Sequence, residues 1–246
     1  MAQATAAKTS RRARWSWYFY DIGNSSYAAV ILLAVFATYF SNVVVGGVKG
    51  PTLWNYSVAI AAIIVALMSP VLGTIADFSR AKKKFLTIFT ILSVVCTALL
   101  FFVQKGDIAL GMILFILAEI GYRASQVFYD ALLVDVSTPD TIGSVSGKGW
   151  ALGMLGGIVC LGIVLVPITS NPGSTLPVRI AFLITALFYA LASIPTLLWV
   201  KQVSEPEKLP AGETALSMAF KKLGATFKAI KNYKEFIKYM VSFLIY

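Results

Sequence analysis

The chain of 246 residues is 58% hydrophobic and only 13% charged, with a mean hydropathy of +0.79, a balance outside the soluble range that points to long membrane-embedded segments. Its net charge of +10 could serve nucleic acid, but the basic residues fall between the apolar runs, where they mark one side of a bilayer, so no nucleic-acid partner is expected. Cys96 and Cys160 each lie within an apolar run and histidine is absent, which excludes a disulfide framework or zinc knuckle, predicts no metal and no cofactor, and leaves carboxylates as the available proton carriers.

Residues 1–16 read as a cytoplasmic tail carrying Lys8, Arg11, Arg12 and Arg14. An acid-poor, arginine-containing start also fits a transit peptide, although no cleavage signature follows. The first span, residues 17–45, is long enough to cross with tilt, since about 20 apolar residues suffice. Near its start, YFYDIGNSSY places Asp21 and Asn24 on one helical face. They are either polar groups inside the span or an interfacial cap near a helix N-terminus, where an aspartate is favoured. Gly46, Gly47, Gly50 and Pro51 are expected to break the helix.

A second span covers residues 53–75, with Pro70 placed to kink it, and ends in GTIADFSRAKKK, a strongly basic loop. The third span, 85–103, returns through a polar turn at 104–107. The fourth, 108–133, carries Glu119, Arg123, Gln126 and Asp130 at steps of four, three and four residues, along one face. The fifth, 145–166, contains SGKGWALGMLGG, whose Gly149, Gly153 and Gly157 form a smooth edge for close helix packing. TSNPGSTLP is a turn by composition, and the sixth span runs over 178–200.

Residues 201–235 form a polar, lysine-rich cytoplasmic linker. Met218, Phe220, Leu223, Phe227 and Ile230 are spaced for an amphipathic helix on an anionic leaflet, the alternative being a solvated linker. Residues 236–246 turn apolar again and are expected to begin a seventh helix that is cut short. With the N-terminus inside, the tail, the second-to-third loop, Lys148 and the linker hold most of the lysine and arginine. The outer side holds Lys49, Lys105 and Arg179. The N-terminus is therefore expected in the cytoplasm.

Ionisable groups in an apolar span cost about 3 kcal/mol or more each if bare, so the stripe on the fourth span is expected to line a water-filled pathway or to pair internally. In the functional reading Arg123 attracts an anionic group of a solute while Glu119 or Asp130 exchanges a proton. Asp21, Asn24 and Gln126 join them in the pathway. In the structural reading Glu119 and Arg123 form a pair that locks two helices. Phe19-Tyr20-Asp21 and Phe128-Tyr129-Asp130 repeat a tripeptide at similar depth on the inner side. No HExxH, Gly-x-Ser-x-Gly, phosphate-binding glycine loop or histidine-cysteine cluster occurs. Asp77, Asp130, Asp135 and Asp140 fall mostly in loops, so no enzyme is expected.

GTIADFSRAKKK resembles the signature between the second and third helices of the major facilitator superfamily. Gly73 and Asp77 match, whereas Phe78 and Arg80 replace its usual basic residue and glycine. The resemblance implies that Asp77 caps or pairs with a neighbouring helix end and that Lys82 and Lys83 hold the inner gate. YDIGNSSY, FYDALL and SGKGWALGMLGG together resemble the vacuole-effluxer-like branch, related to autophagy-linked vacuolar amino-acid exporters, over about residues 15–246. Asp130 stands where that branch more often has asparagine, and the Glu119/Arg123 pair is not a feature associated with it.

The resemblance implies an all-α membrane protein whose six transmembrane helices form one bundle of two three-helix repeats. This would be the N-terminal half of a twelve-helix transporter that rocks around a midplane site. The expected function is secondary active transport of a small polar solute, amino acids being a candidate class. The alternative is a non-transporting scaffold or degenerate half-transporter. The partners implied are the lipid bilayer, the solute, and either a missing C-terminal bundle or a second copy. The expected location is the plasma or inner membrane.

Overall fold

The computed structural model describes residues 10–78, 80–203 and 212–230 and the single positions 238 and 242. The expected seventh-helix start thus lies, apart from two positions, outside the described residues, as do residues 1–9 and parts of the linker. Six helices are long and apolar enough to cross a bilayer: α1 Arg11–Val45, α2 Lys49–Phe78, α3 Lys82–Phe102, α4 Ile108–Ala131, α5 Ile142–Ser170 and α6 Leu176–Trp199. A linker helix, α7, covers Ala215–Ile230. No strand occurs among the described residues, as expected where the backbone must satisfy its own hydrogen bonds in hydrocarbon.

Several boundaries differ from expectation. Helix α1 begins at Arg11, so Asp21 lies well inside it and is not an N-terminal cap. Gly46 and Gly47, with φ of +72° and +58°, end α1 as expected for residues without a Cβ. Gly50 and Pro51, however, belong to α2, because the first helical turn needs no backbone donor from proline. The basic segment is taken up largely by helix. Gly73 and Asp77 close α2, and Lys82 and Lys83 open α3. Helix α1 also widens into π-helical turns over Ala28–Ala34 and Phe40–Val45. Such turns insert residues and re-phase the faces beyond them. Past the first of them Phe36 reaches Trp54, Phe115 and Phe182 at ring-centroid distances of 5.9, 5.9 and 5.4 Å.

The helices pack as two related triplets. Helix α1 lies on α5 and α6, α4 lies on α2 and α3, and α3 lies on α6. Exchanging α1 with α4, α2 with α5 and α3 with α6 reproduces these five principal pairings. This is the arrangement expected of two three-helix repeats related by a pseudo-two-fold axis. Helix α7 packs on α2; Met218 is half-buried and Phe220 exposed.

Close approach is bought with glycine at each central helix. A Cβ on Gly156 would stand 2.7 Å from the Ile22 carbonyl oxygen and 2.8 Å from its Cα, and one on Gly157 3.0 Å from the Ser25 carbonyl oxygen. Gly149 faces the Trp17 ring and Gly153 faces Asp21 and Ser25, so α1 is the backbone that the α5 glycine edge receives. On α4, a Cβ at Gly121 would meet the Ser93 amide nitrogen at 2.7 Å and the Phe89 carbonyl oxygen at 2.8 Å. Behind these contacts, one hydroxyl cluster joins four helices. Tyr20 and Thr90 share a hydrogen bond of 2.7 Å, Tyr20 and Tyr189 one of 3.0 Å, and Ser125 and Tyr189 one of 3.2 Å. All four residues are buried, where unpaired hydroxyls would be costly.

Two stability measurements on the protein in detergent follow from this packing. Gly156→Ala should lower the thermal midpoint by an amount equivalent to about 1–3 kcal/mol, because backbone atoms cannot move aside as a side-chain tip can. Gly162→Ala, whose Cβ would meet nothing within 4 Å, should leave the midpoint unchanged or raise it. Tyr20→Phe and Tyr189→Phe should each cost about 1 kcal/mol. Because they remove ends of one bond, the double variant should cost measurably less than the sum.

Candidate functional site

Helices α1 and α4 meet along an aromatic seam. The Trp17 ring stacks on Tyr129 at 4.3 Å, and its Nε1 donates to the Tyr129 carbonyl oxygen at 3.1 Å. Tyr20 stacks on Tyr129 at 4.8 Å, and farther along Tyr27 stacks on Tyr122 at 4.7 Å. The repeated Phe-Tyr-Asp tripeptides therefore meet: both tyrosines stack, and the Asp21 and Asp130 carboxylates lie within electrostatic range of each other.

On α4, Gly121 and Phe128 face α3, against Ser93 and against Phe85 and Phe89. At about 100° per residue, Glu119, Arg123, Gln126 and Asp130 project from the opposite side. The stripe thus points away from the α3–α6 layer, onto a face whose centre is the α1–α4 seam and whose flanks are α5 and α2. Arg123 Nε donates to Glu119 Oε1 at 2.8 Å. The Glu119 side chain is 5% exposed and that of Arg123 is 45% exposed, so the guanidinium bridges a buried carboxylate and the open face. Arg123 also lies over the Tyr122 ring at 5.2 Å, and Gln126 Nε2 donates to the Tyr122 hydroxyl at 3.3 Å. Asp21 is half-buried, Asn24 buried and Asp130 exposed.

Four buried polar atoms on this seam have no hydrogen-bond partner in the protein: Asn24 Oδ1, Tyr27 Oη, Glu119 Oε2 and Tyr129 Oη. Tyr27 and Glu119 face each other across the seam, close enough to interact. Native proteins pair almost all buried polar atoms, and these four lie together on two facing helices. Asn24 and Glu119 are among the residues expected in the pathway. Neither tyrosine was among the expected pathway residues; Tyr129 belongs to one copy of the repeated tripeptide, whereas Tyr27 carried no signal of its own.

At the end of the bundle where α1 begins, Lys82 Nζ donates to the Ala131 carbonyl oxygen at 3.1 Å and stands 3.8 Å from Asp135 Oδ2. Lys83 Nζ donates to the Val200 carbonyl oxygen at 2.9 Å. The first turn of α3 therefore closes the free carbonyl ends of α4 and α6, as cations at helix C-termini do. Asp135, in the single helical turn Leu133–Val136, accepts from the Val203 amide at 2.7 Å and ties the linker's start to the same clasp. Asp135 was not singled out for this role in the sequence.

A cavity of ≈ 430 Å³ lies elsewhere, between the distal halves of α1 and α5 and the start of α6, lined by Thr38, Tyr39, Asn42, Leu165, Ile168, Val178 and neighbours. It does not touch the stripe. Among the described residues, no three or more acidic, cysteine or histidine side chains cluster as a metal site would require.

Comparison with known proteins agrees with this architecture. The chain matches the family described as "Vacuole effluxer Atg22 like" over residues 43–141 and 136–246. It is 32% identical over 241 residues to a Bacillus subtilis (strain 168) protein named "Uncharacterized MFS-type transporter YxiO", covering 94% of this chain and 56% of that protein. It is 28% identical over 171 residues to an uncharacterized protein of Aquifex aeolicus (strain VF5), covering 68% of this chain and 42% of that protein. The chain spans about half the length of the curated relatives it matches. With six spanning helices in two related triplets and a family match over most of its length, this chain is an integral multi-pass membrane protein of the Atg22-like vacuole-effluxer family within the major facilitator superfamily.

Proposed function

We propose that the chain supplies one six-helix bundle, the N-terminal one, of a secondary transporter that moves a small polar solute by alternating access, with amino acids as the candidate class. A second bundle, from the same protein or from another copy, would face the α1–α4 seam and close the pathway. The reading is supported by the relatives' greater length and by the open face itself. Arg123 offers a half-exposed guanidinium suited to a solute carboxylate. Glu119, held beside it with one oxygen unpartnered, or Asp130 exchanges the proton. Asp21, Asn24 and Gln126 line the same face. The lysine and arginine distribution supports an inner- or plasma-membrane location with the N-terminus in the cytoplasm, and Lys82 and Lys83 would then hold the inner ends of the helices together.

The observation that carries the reading is the group of four unpartnered buried polar atoms on the seam. A scaffold has no use for them, and the Glu119–Arg123 pair lies within one helix, where it cannot lock two. Uptake of a panel of radiolabelled amino acids into vesicles containing the full-length protein, driven by a pH gradient, tests it. Glu119→Gln should abolish the dependence on the gradient. Arg123→Ala should reduce uptake roughly tenfold or more, the equivalent of about 1.4 kcal/mol, with insertion unchanged. Uptake indifferent to both substitutions removes the assigned site, and a wild-type protein that transports none of the panel removes the amino-acid assignment.

A further inference from the structure

Asp21 and Asp130 share one end of the open face, the end at which α1 begins. They come from different helices and each follows one of the two stacked tyrosines, Tyr20 and Tyr129, whose rings lie 4.8 Å apart, which brings the carboxylates within electrostatic range. Among the described residues neither carboxylate has a hydrogen bond or an ion pair, although the same bundle pairs Glu119 with Arg123 and Asp135 with Lys82. Two like charges side by side repel more strongly as water is withdrawn, and the Gly153 edge of α5 presses against the Asp21 carboxylate. This leaves two carboxyl groups from facing helices with no ion-pair partner among the described residues.

A second, independent feature points into the same place. The Tyr129 hydroxyl is buried, with the residue 4% exposed, and has no hydrogen-bond partner, yet it lies within electrostatic reach of both carboxylates. One turn along α1 from Asp21, Asn24 is 2% exposed and its Oδ1 is likewise unpartnered. Carboxylate, phenol and amide oxygens form a set of hard donors without a positive charge among them, the donor chemistry that a hard cation or an ammonium group requires.

We infer that Asp21 and Asp130 together hold one small monovalent cationic group at this end of the pathway, with Tyr129 and Asn24 supplying neutral oxygens. The inference rests on the open face being the solute pathway. It assigns to that face a positive charge bound apart from the Glu119–Arg123 pair. An inorganic ion such as sodium and the ammonium group of a solute present the same chemistry to these oxygens.

Thermal unfolding of the full-length protein in detergent, at fixed pH and ionic strength, tests this with sodium chloride, methylammonium chloride and choline chloride, choline being a cation whose nitrogen carries no N–H to donate and no open coordination position. Sodium or methylammonium should raise the midpoint by a few degrees over choline. Asp130→Asn should raise the half-saturating concentration roughly tenfold, and the double variant Asp21→Asn/Asp130→Asn should lose the response. Asp130 is exposed and both changes are isosteric, so the fold should survive them. A response to sodium alone identifies an inorganic ion, and one to methylammonium alone identifies the solute's own amino group. Equal midpoints in all three salts, or a cation response that Asp130→Asn leaves unchanged, overturns the inference. If uptake persists in vesicles while no cation response is found, the pathway stands and this site falls.

Discussion

Helices in hydrocarbon gain little by hiding apolar side chains from one another, because lipid tails are equally apolar. What holds them is close contact between backbones. The arrangement of this bundle depends on that constraint. Gly149, Gly153, Gly156 and Gly157 let α5 come against Trp17, Asp21, Ile22 and Ser25 of α1, and Gly121 lets α4 come against Phe89 and Ser93 of α3. With α1 and α4 each held closely on one side, their remaining faces turn toward one another and toward the open side of the bundle.

That placement sorts the polar residues by depth. Hydroxyls of Tyr20, Thr90, Ser125 and Tyr189, behind the seam, satisfy one another and join four helices. Charged and amide groups in front, from Asp21 to Asp130, are incompletely satisfied. The difference is physical as well as positional. A closed hydroxyl cluster keeps a core rigid, whereas a row of partly paired groups on an open face can exchange partners with a ligand at small cost. The lysines of α3 perform a third task at the end where α1 begins, holding the carbonyl ends of α4 and α6 in place.

The repeated Phe-Tyr-Asp tripeptide does not follow from the pseudo-two-fold exchange of α1 with α4, which would pair the starts of the two helices. Each copy sits where its helix crosses the seam at the same end of the bundle, although the two helices run in opposite directions. The repeat therefore converges through the packing of the two triplets, while an alignment of the helix starts would separate the copies. The tyrosines stack and the aspartates face the same opening.

Hydropathy and charge by themselves marked six runs long and apolar enough to cross a membrane, because only long apolar helices meet the backbone's hydrogen-bonding demand in hydrocarbon. The periods of 3.6 residues also exposed the Glu119 to Asp130 stripe and the glycine edge of α5, since spacing along a helix is a local property. The extension of α2 back to Lys49 and the start of α3 at Lys82 escaped the reading, because helix ends depend on partners supplied from elsewhere in the chain. The wide turns of α1, the hydroxyl cluster centred on Tyr20 and Tyr189, the clasp at Asp135 and the meeting of Asp21 with Asp130 were decided only in the tertiary structure. Each brings together residues far apart in sequence, and no periodicity within one helix records which face of another it will meet.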